Sequence, residues 1–207
     1  VRGAQLFDNE SFSISPAEAS MMDPQQRLLL ESGSLSLHGA DRTLVTAGGL
    51  VGVFVGISST EFGLLVGNRP TALSVYASSA SSLAIASGRI SFVLGLYGPC
   101  ISYETACSAS LVALHGSVRS LQRVECHVGV AAGVNVLLSP ASSVGIAAAG
   151  MTSAGGRCHT FDVRADGYLR AEACASTATG VEEASSDVVV RGISVRQDGR
   201  SASLTAP

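Results

Sequence analysis

Between Val51 and Ser58 the chain reads VGVFVGIS, a run of β-branched and aromatic side chains bounded by glycine. Unbroken apolarity over so short a length predicts a strand covered on both faces. Similar runs recur as CISYE at 100–104, HVGVAAGVNV at 127–136 and DVVVRGISVRQDG at 187–199, the last ending in a turn. Helical patterns lie between them. DPQQRLLLE opens a helix with Asp23 as N-cap and Pro24 at the first helical position, and Gly33 with its neighbouring serines weakens the continuation. SGRISFVLGLYGP closes a second helix, where Gly95, Gly98 and Pro99 return the chain to the next strand. A third runs from about Cys107 to Glu125. Strands alternating with helices predict right-handed crossovers, a mostly parallel sheet and an α/β fold.

Composition narrows the function classes. The 207 residues suffice for one domain with a sizeable core, or for part of a larger one. Apolar residues make up 46% and charged residues 14%, against a usual share of about 25% charged, so much of the chain is expected to be buried. A net charge of −3 argues against nucleic acid as a partner. The sequence contains arginine but no lysine, which excludes an ammonium base, a Schiff base and a phosphate-loop lysine within it. The most apolar stretches, Leu44 to Ile57 and Val128 to Met151, are broken by glycines, Asn135 and Pro140, short of the roughly 20 residues that span a bilayer. Five cysteines, an odd number without a C-x-x-C pair or a secretory signal, fit reduced thiols in the cytoplasm, or in a plastid if the source is eukaryotic.

One cysteine stands apart. In YETACSASLVALH, Cys107 lies where a short strand turns into a long helix. Such a turn exposes its residue above the sheet edge, beside unpaired N–H groups and the positive end of the helix dipole. A thiol there is placed to act as a nucleophile, and an oxyanion formed beside it has donors at hand. Ala106, Ser108 and Ala109 leave room for a substrate. Free cysteine also fills cores, and spacing alone leaves both roles open.

ETACSASLVALH resembles the nucleophile motif of the β-ketoacyl synthases, in particular the ketosynthase domains of modular polyketide and type I fatty acid synthases, whose usual pattern is [DE]TACSSSLVALH. ISPAEASMMDPQQRLLLE, VGVFVGI, SGRISFVLGLYGP, GRCHTFDVRADGYLR and VVVRGISVRQDGRSASLTAP are similar to that family in the same order, over nearly the whole chain. The resemblance implies a thiolase-like fold of layered α/β/α structure built from two βαβαβ halves. It implies decarboxylative Claisen condensation of a Cys107-bound acyl group with a malonyl unit on an acyl carrier protein. The partners implied are that carrier protein, whose phosphopantetheine bears the substrates, neighbouring synthase domains, and a second copy joined through the strand Cys100 to Glu104. No cofactor or metal is expected.

The family also uses two histidines, in an H-G-T-G-T motif and a later G-H motif, and a nearby lysine. None is present, so residues 1–207 resemble a partial ketosynthase domain, about half, without its first strand and its catalytic-histidine half. His115, eight residues after Cys107 on one helix, lies about 12 Å along the axis and is too far to pair with it. His38, His127 and His159 match no catalytic position. FDVRADGYLRAE places Asp162, Asp166 and Gly167 as in a calcium loop, but Arg164 and Ala173 occupy ligand positions; the resemblance implies instead a structured loop near the active-site entrance, with Asp162, Arg164, Asp166 and Glu172 structural. Where the family has an apolar strand, this chain has ASTATGVEEASSD, and a lost or displaced strand is expected. Two alternatives follow: a non-condensing ketosynthase-like module for dimerisation or carrier docking, and an α/β cysteine hydrolase with a histidine and an acid near Cys107.

Overall fold

The computed structural model describes residues 1, 3–38, 48–58, 61–66, 75–181, 188–197 and 199–200. Its helices are α1 (Pro16–Met21), α2 (Pro24–His38), α3 (Glu61–Val66), α4 (Ala77–Ala80), α5 (Leu83–Leu94), α6 (Ala109–Gln122) and α7 (Pro140–Ala148). The strands are β1 (Val51–Gly56), β2 (Cys100–Tyr103), β3 (Val128–Asn135) and β4 (Ala173–Gly180). They form one sheet in the order β2-β1-β3-β4. β1 pairs in parallel with β2 and with β3, and β4 runs antiparallel to β3.

The continuous apolar runs become strands because both faces are covered. Val53 and Val55 of β1, with Ala132 and Val134 of β3, pack on Leu29 and Leu30 of α2 and Ile90 of α5. Phe54 points the other way, against Ala113 of α6 and Cys126. All of these are buried, and burying each valine, leucine or phenylalanine side chain stabilises the fold by about 1.5–3 kcal/mol.

The helix starting at Pro24 forms as expected. Asp23 is buried and accepts the Gln25 N–H at 2.8 Å, while its own N–H donates to the Ala80 carbonyl at 2.9 Å. It runs through Gly33 and the serines to His38 without weakening, because Leu29, Leu30, Gly33 and Leu37 continue one buried stripe. The glycine after Leu94 ends α5: Gly95 takes φ 63° and donates to the Ser91 and Phe92 carbonyls.

Two strand expectations need correction. Residues 188–197 of the run at 187–199 form no strand, and Asp187 and Asp198 lie outside the described residues. Most of 188–197 is exposed, and among the described residues no strand pairs with it; β-branched composition without a partner does not make a strand. The strand expected to be lost or displaced is present as β4, ACASTATG, although Glu182 to Ser186 and Asp187 lie outside the described residues. Its small residues alternate between two helices. Cys174, Ser176 and Ala178 face α2, where Ser32 Oγ donates to Ser176 Oγ at 2.8 Å, and Thr179 meets Ser117 of α6 at 2.6 Å.

α6 sits unusually close to the sheet. A Cβ at Gly56 would lie 2.4 Å from the backbone of Ala109 and Ser110, one at Gly133 would lie 2.6 Å from Ser110 Cβ, and one at Gly129 would lie 2.0 Å from Ser117 Oγ. The buried face of the helix is equally small: Ala109, Ala113, Ser117 and Ser120. Among the described residues no helix is long and apolar enough to cross a membrane. Val128 to Met151 is β3 followed by α7, and Leu44 to Thr46 with Ala47 lie outside the described residues.

Candidate functional site

β2 delivers the chain to a sharp turn at the end of the sheet. After Tyr103 it passes through Glu104 and Thr105 into one 3-10 turn, Ala106–Ser108, which runs directly into α6. Ala106 takes φ 51°, left-handed for a residue with a Cβ, at a cost of about 1–2 kcal/mol. The turn is fixed by the Thr105 carbonyl, which accepts the Ser108 N–H at 3.2 Å and Ser108 Oγ at 2.9 Å, and by the Ala109 N–H on the Ala106 carbonyl. Gly56 lets the start of α6 rest on the end of β1. Cys107 is held here, exposed and at the mouth of the helix.

The thiol opens onto a cleft of about 910 Å³. α6 forms one wall with Ser110, Leu111 and Leu114, α7 forms another with Ser142 and Ile146, and the ends of β3 and β4 form the floor. The lining is mostly apolar, as expected of a site for an apolar chain. No histidine is among the lining residues described. Among the described residues the buried Nδ1 of His115 has no hydrogen-bond partner, His127 Nδ1 accepts the Leu50 N–H at 3.0 Å, and His38 Nδ1 lies 2.7 Å from the Ser34 carbonyl. The hydrolase alternative therefore has no histidine in the described part of the cleft. The other thiols are elsewhere: Cys100 and Cys158 are exposed, burial pushes the Cys126 thiol up, and burial pushes that of Cys174 up to about 11.

Sequence reasoning missed a second feature of the cleft. Glu61, at the start of α3, is 3% exposed. Its Oε2 accepts the N–H groups of Leu138 at 2.8 Å and Ser139 at 2.6 Å, and its Oε1 accepts Arg170 Nη2 at 3.3 Å. Arg170 Nη1 donates to Ser143 Oγ of α7 at 2.7 Å. Burial pushes the Glu61 carboxyl up, but the Ser139 N–H, the Ser142 hydroxyl, the Leu138 N–H and Arg170 outweigh it, and the net shift is downward. The only signal in the sequence is a glutamate next to an apolar run; its partners lie 77 to 109 residues away.

In the loop read as structural, two of the side chains pair with each other. Arg164 donates to Asp162 through Nε at 3.0 Å and Nη2 at 2.7 Å, which occupies the carboxylate. Glu172 accepts the Leu137 N–H at 3.0 Å. Among the described residues no group of three acidic, histidine or cysteine side chains is placed to hold a metal ion.

Sheet order, layering and a thiol at a strand-to-helix turn define a thiolase-like α/β protein. Residues 1–178 match the profile of the β-ketoacyl synthase N-terminal domain, and the chain belongs to that family. It is 42% identical over 97% of its length to one of the phenolphthiocerol/phthiocerol polyketide synthase proteins of Mycobacterium tuberculosis, and 40% identical over 97% to a mycocerosic acid synthase-like polyketide synthase of Mycolicibacterium smegmatis. It covers 10% of each of those proteins. Among solved structures it resembles the ketosynthase from module 6 of the bacillaene synthase of Bacillus subtilis, with a TM-score of 0.74 and 32% identity over 86% of this chain and 30% of that one. A Streptomyces albus oxazolomycin ketosynthase domain gives 0.74 and 34% over 83% of this chain and 30% of that one.

Proposed function

We propose that the chain is part of a ketosynthase domain of a modular polyketide synthase, and that Cys107 carries the growing acyl group. The thiol attacks the thioester carbonyl of an acyl chain presented on phosphopantetheine. A C–S bond to Cys107 forms, the bond to the carrier thiol breaks, and the thiol proton leaves with the carrier. Condensation follows: the carboxylate of a malonyl unit departs as carbon dioxide, its bonding electrons attack the Cys107 thioester carbonyl as an enolate carbon, and the Cys107 sulfur is released. Splitting carbon–carbon bond formation into loading and condensation is what a covalent nucleophile contributes. The Cys107 N–H, at the mouth of α6, is one donor to the oxyanion.

The observation that carries this reading is an exposed Cys107, fixed by a strained turn, opening onto a largely apolar cleft of about 910 Å³. The groups that promote decarboxylation are supplied by the rest of the domain, outside this chain. The carrier protein and neighbouring synthase domains are its partners, and two copies join through the strand Cys100 to Glu104. Its compartment is the cytoplasm.

The test is acylation of the complete domain with a hexanoyl N-acetylcysteamine thioester, read by intact mass and peptide mapping. One hexanoyl group is expected on Cys107, none on Cys126 or Cys174, and none anywhere in Cys107→Ala. An adduct that persists in Cys107→Ala overturns the assignment.

A further inference from the structure

We propose that Glu61 and Arg170 form a clasp that sets where α7 stands, and thereby which acyl chain lengths the cleft beside Cys107 accepts. The inference rests on the reading of Cys107 as the acyl-bearing thiol.

α7 is attached to the molecule in an unusual way. None of its nine residues is buried, and only Ser142, Ser143 and Ile146 are even half-buried. Within this part of the domain the helix has no buried stripe and gains little from packing, so what holds it here are other bonds. Those bonds are polar and lie at its first turn. Glu61 receives the N–H of Leu138 and of the N-cap residue Ser139, and Arg170 reaches from Glu61 to Ser143. The carboxylate also sits at the positive end of the α7 dipole. At 3% and 14% side-chain exposure, Glu61 and Arg170 are shielded from water, unlike a surface pair.

Ile146 lies about one and two-thirds turns beyond Pro140 and lines the same cleft as Leu111 and Leu114. At 1.5 Å per residue it is about 9 Å from Pro140 along the axis, so a tilt of about 10° about the first turn moves it by roughly 1.6 Å, about the length of one methylene. Each methylene newly admitted to an apolar site changes relative acceptance about fourfold. Glu61 and Arg170 are therefore positioning residues: they act on the substrate through the wall they hold.

The complete domain, as wild type and as Glu61→Gln, Arg170→Met and Ser143→Ala, is acylated with propionyl and with decanoyl N-acetylcysteamine. Each reaction forms a thioester at Cys107 and releases N-acetylcysteamine, which takes the thiol proton. Rates are read as mass gain on the Cys107 peptide and divided by the rate of iodoacetamide labelling, which corrects for altered exposure of the thiol. The decanoyl-to-propionyl ratio is expected to rise at least threefold in each variant that folds. A smaller change, with both rates falling by one factor, assigns the pair a structural role alone and overturns the clasp. If Glu61→Gln and Arg170→Met do not fold, Ser143→Ala decides, since it keeps the ion pair and removes the bond from Arg170 to α7. A wild-type Cys107 that takes neither acyl group overturns the reading beneath the proposal, whereas an acylated Cys107 with an unchanged ratio overturns the clasp alone.

Discussion

A carboxylate as buried as Glu61 stays ionised only where hydrogen bonds replace the water it has lost. With its carboxyl held below the ordinary range, the folded state binds a proton less readily than the unfolded chain does. Its contribution to stability is thus fully present above about pH 4.3, the unfolded value, and is lost as pH falls through the lower folded value. Glu61→Gln is expected to lower unfolding stability by about 2–3 kcal/mol at pH 7. The gap between wild type and variant should narrow at pH 3.5, as measured by urea unfolding at both values. A gap of equal size at both values would show that the charge of Glu61 contributes nothing. At this scale the sequence was half legible. Cys107 stood out through the residues on either side of it. Glu61 did not, because what makes it a charged, buried group is a loop at Leu138–Ser139 and an arginine at 170, joined to it only by the fold.

Among the elements, the seat of α6 is the most exacting. A methyl group at Gly56 would meet backbone atoms, which cannot rotate aside as a side chain can. Gly56→Ala is expected to cost about 2–4 kcal/mol and to slow acylation of Cys107, because the turn that holds the thiol rests on the same contact. Gly145→Ala on α7 is the control: among the described residues nothing lies within 4 Å of its added Cβ, and it should gain up to about 1 kcal/mol. Equal urea midpoints for the two variants would refute the seat. β1, β2 and β3 were legible because their side chains are mostly apolar, and because glycine marks the end of β1 and proline the approach to β2. β4 was not, since alanine, serine and threonine at a period of two carry almost no hydrophobic contrast, and its stability comes from pairing with β3 and from the Ser32 and Ser117 contacts. The valines at 188–190 misled for the converse reason: contrast without a partner.

Across the whole molecule, the sheet has an open side at β2. Among the described residues β2 pairs only with β1, and Cys100 and Ile101 on it are exposed. An apolar edge with free backbone groups pairs readily with a second chain. Concentration-dependent association is therefore expected in light scattering, and Ile101→Lys should weaken it at least tenfold by placing a charge on that edge. A wild-type chain that stays monomeric at high concentration would count against both the edge and the proposed pairing of two copies.

The reversal at β4 has a consequence for how damage would be distributed along the chain. In β1, β2 and β3 the closing residues approach the thiol, so errors late in each strand reach the chemistry and early ones reach only the scaffold. β4 inverts that gradient: Ala173 lies beside Asn135 and Gly180 beside Val128. Its opening residues border the cleft and its final ones support the far end of α6, so within this single strand substrate handling comes first and structural upkeep last.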